Sequence, residues 1–306
     1  MSNLVKKESS LSVEQWERFS YEEVRCLYVL ALPLMWVLVR WVKFKRRYGL
    51  INEVNTILYD GLGKSCRAIK EGAASWKALE VIYNYKFGKK LSTIVDDFWI
   101  GMRNAQAVRN RLKILKHELW ATANEIAKHN KEVRILSLAA GSAEGVFQVA
   151  SRLKQSGYPF SIVLIDVDKD AIEFVLKEAQ RLGLSENVHA EVGNVLSFQK
   201  QIGNFRPNVI EMAGLLDYLN DGIAKMLIRQ IQKILPEGGY FLTCHIHKNA
   251  EREFLTEVIG WGKDPVMLYR TRQELEDVVR EGNFNTMTII TEPHSIHSVV
   301  IAQKAT

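Results

Sequence analysis

Along the first 133 residues the apolar positions recur at helical spacing. Ile51, Val54, Ile57, Leu58 and Leu62 follow a 3.6-residue spacing, and Val108, Leu112, Leu115, Leu119 and Ile126 do the same further on, the stripe an amphipathic helix turns towards a core. Shorter helices are expected over 73–85 and 91–100, parted by a turn at Phe87 and Gly88. One stretch stands apart. From Cys26 to Val39 fourteen residues are apolar without interruption; Arg40, Trp41 and Val42 follow, then Lys43, Lys45, Arg46 and Arg47. A bilayer span needs about 20 apolar residues, and Pro33 sits inside this shorter run. The pattern predicts a buried helix or a wall facing a second domain, with an interfacial membrane helix as the alternative, its basic end on anionic headgroups.

After Lys131 the pattern switches to short β-branched runs, at 133–138, 162–165, 188–192, 208–212, 239–244, 287–291 and 298–302. Amphipathic stretches at 145–156, 169–182, 222–234, 251–258 and 272–281 alternate with them. Such alternation predicts a parallel, doubly wound α/β sheet of seven strands, its last two forming an antiparallel hairpin at one edge. Two units follow: an all-α cap, residues 1–130, and a sheet domain, residues 131–306.

Composition narrows the class. Hydrophobic residues make up 47% and charged residues 25%, with 6 prolines and 19 glycines, which excludes a disordered or collagen-like chain. Cys26, Cys66 and Cys244 are odd in number and lack a CxxC pair, so neither a disulfide framework nor a zinc ribbon is indicated, and a reduced cytoplasm fits best. Residues 1–20 are polar and mixed in charge, so no secretory signal is expected there. The net charge of +6 is unevenly spread. Residues 1–133 hold 23 Lys and Arg against 14 Asp and Glu, or +9, whereas residues 134–306 come to −3.

Ligands of such sheets bind beyond the carboxyl ends of the strands. The first strand leads into Ala139-Ala140-Gly141-Ser142-Ala143-Glu144-Gly145, where small side chains let a ligand approach the backbone and a helix N-terminus offers free N–H groups. The loop is neither GxGxxG nor a P-loop, and tight strand-to-helix packing explains it equally well. Asp166 ends the second strand, where a carboxylate can accept from both hydroxyls of a ribose; Asp168, before a helix, reads as its cap. The third strand leads to Gly193-Asn194-Val195, a polar and an apolar side chain able to bracket an adenine.

The series SLAAGSAEG, IDVDKDAI, EVGNV, EMAGLLDYLND and LPEGGYFLT resembles the class I S-adenosylmethionine-dependent methyltransferases over about 170 residues. More narrowly, SLAAGSAEG, AGLLDYLND, AQAVRNRLKIL and LYRTRQEL are similar to a bacterial group of methyltransferases associated with 3-hydroxypalmitic acid methyl ester, extending the match to about 200 residues. Ser137 and Ala139 depart from the acidic, glycine-richer loop of most methyltransferases, as they do in the narrower group; Glu211 and His245 depart from the narrower group itself. The resemblance implies S-adenosylmethionine as cofactor. Ala139, Gly141 and Ala143 would pass its methionine and ribose, and Asp166 would hold the ribose. Val167 would pack on adenine, Asn194 and Val195 would meet the adenine edge, and Ala213 and Gly214 would border the sulfonium.

On the acceptor side, Tyr218 and His245 are expected to face substrate as catalytic groups, with Glu211 nearby; Asp217 and His247 share the rim. Each histidine reads equally as a polar residue satisfied at a strand end. His245, His247 and Glu211 offer no complete ligand set, so no metal is expected, and His294 and His297 are expected in an exposed turn. Arg103, Arg109, Arg111, Lys113 and Lys116 form a basic band on one helix. This is a solvated face, unless Arg109 or Arg111 reaches the pocket and holds an anionic acceptor in a bidentate pair. The resulting expectation is methyl transfer to a small apolar or anionic acceptor, through carboxyl or hydroxyl O-methylation or N-methylation. A nucleic-acid methyltransferase and a non-catalytic membrane-associated binding protein are the alternatives. Nucleic acid is disfavoured because EMAGLL replaces the Asn/Asp-Pro-Pro-aromatic motif. A cytoplasmic location, a peripheral membrane contact through 26–47 and a homo-oligomer stay open.

Overall fold

The β-branched runs become seven strands in the computed structural model, which describes residues 20–23, 28–50, 53–88, 90–129 and 131–305. Cys26, Ile51 and the first nineteen residues, on which the expected lack of a leader rests, lie outside that set. The strands are β1 (Val133–Leu138), β2 (Phe160–Asp166), β3 (Val188–Val192), β4 (Val209–Met212), β5 (Tyr240–Ile246), β6 (Thr286–Thr291) and β7 (His297–Gln303). Their order across the sheet is β3-β2-β1-β4-β5-β7-β6. β1 to β5 are parallel, with Leu136 opposite both Val163 and Ile210. β1, β2, β4 and β5 are buried on both faces and read as largely apolar runs, whereas the edge strand β3 is partly exposed. The order reverses between β1 and β4, which opens a crevice at their carboxyl ends. β7 runs antiparallel to both β5 and β6. The expected hairpin exists, but its returning strand lies inside the sheet and β6 forms the edge.

The helices are α1 (Tyr28–Arg47), α2 (Lys64–Glu71), α3 (Trp76–Asn84), α4 (Ile94–Ile100), α5 (Arg103–Lys128), α6 (Glu144–Gln155), α7 (Lys169–Arg181), α8 (Asp221–Ile234) and α9 (Arg272–Arg280). One sheet face is covered by α5, α6 and α7 through Leu119, Val149 and Val175. The other is covered by α8 and α9 through Leu227, Ile231 and Val278.

A third core holds the cap together: Met35 and Val42 of α1, Cys66, Ile82 and Trp99 pack with Phe254 and Val258 from the C-terminal half. Trp99 stacks on Phe254 at 4.8 Å between ring centroids, and Tyr59 meets Phe254 edge-on at 5.5 Å. Packing therefore does not part at residue 130. The second half of α5 belongs to the sheet core, while residues 254–259 belong to the cap core.

Among the described residues of the 51–62 stretch, 53–62, the apolar spacing gives a π-helical turn, Ile57–Gly61, and no longer helix. The buried Asp60 carboxylate accepts from the N–H groups of Asn55 and Thr56 at 2.8 and 2.9 Å. Those bonds hold Thr56 extended (φ −152°, ψ 138°) and stop a helix from starting earlier. Ile57, Leu58 and Leu62 consequently face outward.

Candidate active site

The loop after β1 turns through three left-handed residues, Ala139 (φ 55°), Gly141 (φ 53°) and Ala143 (φ 50°). Non-glycine residues rarely adopt that region, so the surrounding bonds must hold it. They are Ala140 N–H to the Ile165 carbonyl (3.1 Å), Ala143 N–H to the Ala140 carbonyl (2.8 Å) and Gly141 N–H to Asp166 Oδ2 (2.8 Å). A Cβ on Gly141 would come within 3.0 Å of Trp76 Cβ, so cap and loop touch here. Trp76 also donates from Nε1 to Asp168 Oδ2 at 2.9 Å and leans on the Phe174 ring at 4.8 Å.

Asp166 is buried, and its other oxygen accepts from Asp168 N–H at 2.9 Å. One carboxylate thus ties the ends of β1 and β2 together. Val167 beside it is 64% exposed. Asp168 caps α7 by accepting from Asp170 N–H. At the end of β3, Asn194 Oδ1 accepts from Leu196 N–H, while the Val195 side chain is buried in the core. Neither lines the cavity described below. The apolar surface exposed at this strand end belongs to Val192 and Leu196, which sequence reasoning passed over.

Between the cap and the strand ends lies a cavity of about 450 Å³, within the range of small-molecule sites. Ala139, Gly141, Ala143, Asp166 and Val167 border one part of it, and Ala213 and Gly214 another. Gly214 (φ 81°) has nothing within 4 Å of where a Cβ would stand. A backbone-lined loop, a buried carboxylate, an exposed valine and open space beside Gly214 fit the parts of S-adenosylmethionine in turn. The remaining walls are apolar, from Met35, Leu79, Ile82, Trp99, Leu112 and Met267.

Polar side chains interrupt those walls, among them Arg111, Glu211, Tyr218 and His297, with Tyr83, Asn104, Asp217 and Glu251. Arg111 is buried and donates to the Tyr83 hydroxyl at 3.2 Å. Among the described residues no carboxylate lies within 4.0 Å of its guanidinium. Glu211, on β4, accepts from the Ser137 hydroxyl at 2.6 Å. Burial pushes its pKa up to about 7, against the pull of the Ser137 and Ala213 hydrogen bonds and the Arg111 charge. Tyr218 accepts from Trp261 Nε1 at 2.9 Å; burial raises its pKa, which leaves a neutral hydroxyl that donates rather than a base.

His297 is the residue the sequence reading misplaced. It is 3% exposed, not in an open turn, and neither ring nitrogen has a hydrogen-bond partner. Burial and the Arg111 charge hold its pKa well below 6.5; the nearby His245 carbonyl opposes them only weakly and closes no hydrogen bond. The turn before it is wound inward by Glu292, whose carboxylate accepts from His294, Ile296 and His297 N–H groups. His294 is buried as well.

Two residues expected in the acceptor pocket stand elsewhere. His245 alternates onto the α8 and α9 side of the sheet, fully buried; its Nε2 accepts from Arg270 N–H at 3.0 Å and its Nδ1 lies 2.8 Å from Asp217 Oδ1. Arg109 forms a bidentate pair with Glu22, 2.7 Å for each bond, and donates to the Ile100 carbonyl. Neither lines the cavity. His247 is occupied too, by the Arg270 carbonyl and the Ser298 hydroxyl, each at 2.7 Å.

A family model described as “Putative methyltransferase” matches residues 5–304. No protein of curated function matches the sequence. Among solved structures, a possible exported protein from Bordetella parapertussis superposes with a TM-score of 0.67 at 13% identity, covering 89% of this chain and 96% of its own. The CurJ carbon methyltransferase gives 0.55 at 14% identity, with 89% of this chain and 67% of that one covered. An O-methyltransferase family protein from Burkholderia thailandensis gives 0.52 at 13%, with 90% and 71% covered. At such identities the likeness is one of fold.

Proposed function

From the premise that the chain belongs to this methyltransferase family, and is an S-adenosylmethionine-dependent enzyme of the class I fold, we propose that its acceptor is a small amphiphile whose carboxylate is bound by Arg111. The observation that carries this is a buried guanidinium at the wall of a largely apolar cavity, hydrogen-bonded to the Tyr83 hydroxyl and with no carboxylate within 4.0 Å among the described residues. The Tyr83 hydroxyl and the nearby Asp217 charge hold Arg111 in its charged form, and an anionic ligand would add charge-assisted hydrogen bonds that no carboxylate among the described residues supplies.

When bound, S-adenosylmethionine supplies an electrophilic methyl group whose bond to sulfur breaks as the acceptor's bond to carbon forms, the electron pair passing to sulfur. Arg111 fixes the acceptor carboxylate, one oxygen held and the other free to attack. The apolar walls orient the acceptor tail and exclude water, so positioning does most of the work. Protonated Glu211 adds no repulsion to the bound anion. A carboxylate nucleophile loses no proton and needs no base. A hydroxyl or amine acceptor would need one, and the unpartnered His297 or the ionised form of Glu211 would take that part, so hydroxyl O-methylation and N-methylation are the runner-up reactions. The cap roofs the acceptor space, and a polynucleotide strand would have to displace it. Peripheral membrane contact through α1 belongs with this reading, because an anionic amphiphile is carried on lipid surfaces.

The test is methyl transfer from labelled S-adenosylmethionine to a panel of medium-chain carboxylic acids beside their amides and alcohols. Acids should be preferred, and the Arg111→Met variant should lose about a hundredfold in kcat/KM on them. Equal use of acids and amides, or an unaffected Arg111→Met variant, would remove the assignment.

A further inference from the structure

α1 is two-faced in an unusual way. Met35, Leu38, Val39 and Val42 enter the cap core, yet the opposite side carries apolar residues too: Trp36, Val37, Trp41 and Phe44, with Tyr48 in the turn just past the helix end, are each between 47% and 61% exposed. At about 100° per residue the four on the helix fall within one arc of roughly 140°. Trp41 stacks on Phe44 at 5.8 Å, Phe44 contacts Tyr48 at 4.7 Å, and the Arg40 guanidinium sits 4.8 Å over the Trp36 ring. Contiguous exposed surface of this kind marks an interaction site rather than a solvated face.

A surface groove runs between this helix and residues 248–254, about 1020 Å³ in volume. Arg40, Lys43, Arg47, Lys248 and Arg252 line it, against one carboxylate, Glu253, which already pairs with Lys43 at 3.1 Å. Its apolar lining includes Trp36, Phe44 and Tyr48. Met35 and Phe254 are walls of both this groove and the acceptor cavity. Among the described residues no helix is long and apolar enough to cross a membrane, so the face lies on a surface rather than spanning one.

We propose that the outer face of α1 docks on an anionic lipid bilayer and that an amphiphilic acceptor enters from it past Met35 and Phe254. Aromatic rings at interface depth with cations at headgroup level are what such a surface selects. A second copy of the chain would cover the rings but would leave the five cations facing each other. The docking stands on α1 and the groove alone; the entry route rests on the proposed acceptor.

The full chain is sedimented with vesicles of phosphatidylcholine alone and of phosphatidylcholine with phosphatidylglycerol, while tryptophan emission is followed. Binding with a blue shift is expected on the anionic vesicles only, weakening as salt rises. A cation near such a surface strengthens binding about fivefold, so the Arg40→Gln, Arg47→Gln double variant should lose about 25-fold. The Trp41→Ser, Phe44→Ser double variant should lose the blue shift and most of the binding. Both variants should keep wild-type affinity for S-adenosylhomocysteine by calorimetry, since the changed side chains lie outside its site. Equal binding to both vesicle types, variants that bind like wild type, or a dimer abolished by the Trp41→Ser, Phe44→Ser changes would each overturn the docking. A wild-type protein that docks but uses acids and amides equally would support the docking while removing the acceptor reading and, with it, the entry route.

Discussion

Replacing Glu211 by Gln isolates the electrostatic cost built into the acceptor cavity. The carboxyl group ordinarily titrates at 4.5 and is pushed up to about 7 by burial. At 1.36 kcal/mol per pH unit, burying its ionised form costs roughly 3 kcal/mol. Because the folded protein holds the proton more tightly than the unfolded chain, stability is highest below 4.5. It declines as pH rises from 4.5 to about 7 and then levels off. Glutamine keeps the shape and can still accept from Ser137, but it carries no charge. The Glu211→Gln variant should therefore gain about 3 kcal/mol over wild type between about pH 4.5 and about pH 8, measured by urea denaturation at the two pH values. The buried histidines and Glu80 titrate alike in both proteins and cancel in the difference. Parallel stability profiles would show that Glu211 is not held in a low-dielectric site, and with that the pH-dependent part of the cavity argument falls. If the profiles diverge as expected, KM for a carboxylate acceptor should rise above about pH 7 in wild type but not in the variant, because ionised Glu211 opposes the bound anion.

His297→Leu should leave stability unchanged or raise it by about 1 kcal/mol in thermal melting, since an unpartnered imidazole leaves an apolar site. The same variant should slow turnover of hydroxyl acceptors at least about tenfold while sparing carboxylates; equal slowing of both would assign His297 to packing. Asp166→Asn should weaken S-adenosylhomocysteine binding about 10- to 100-fold by calorimetry, as an amide NH₂ would face Gly141 or Asp168 N–H where a carboxylate oxygen accepts now. Unchanged affinity would take Asp166 out of the cofactor site.

The sheet was legible because its central strands are buried on both faces and need short, largely apolar runs, as SIVLID and YFLTCHI provide. That the small-residue loop and Asp166 border the cavity was legible for a related reason: a tight strand-to-helix turn and a strand-end carboxylate call for particular residue types. What sequence could not supply was facing. Arg109 and Arg111 stand about 200° apart on α5, so one pairs with Glu22 and the other meets the cavity. A list of basic residues cannot tell them apart. His245 and His297 are exchanged for the same reason. A strand shows alternate residues to opposite faces, and which parity faces the cavity depends on the β5–β7 pairing, with Ile246 opposite His297. The 51–62 stretch failed differently, because a single buried carboxylate outweighed helical spacing.

The placement of β7 between β5 and β6 ties the cavity to the completion of the sheet. Chains emerge from the ribosome N-terminus first, but domains generally fold as units. The cofactor loop, Asp166 and Arg111 are synthesised well before residues 297–303, yet β6 has no neighbour in the sheet until β7 arrives. His297, the first residue of that strand, is therefore delivered at the same moment as the closure of the sheet. One wall of the cavity therefore hangs on the strand that completes the sheet, so a change that weakens β5–β7 pairing opens the acceptor space as well as the sheet.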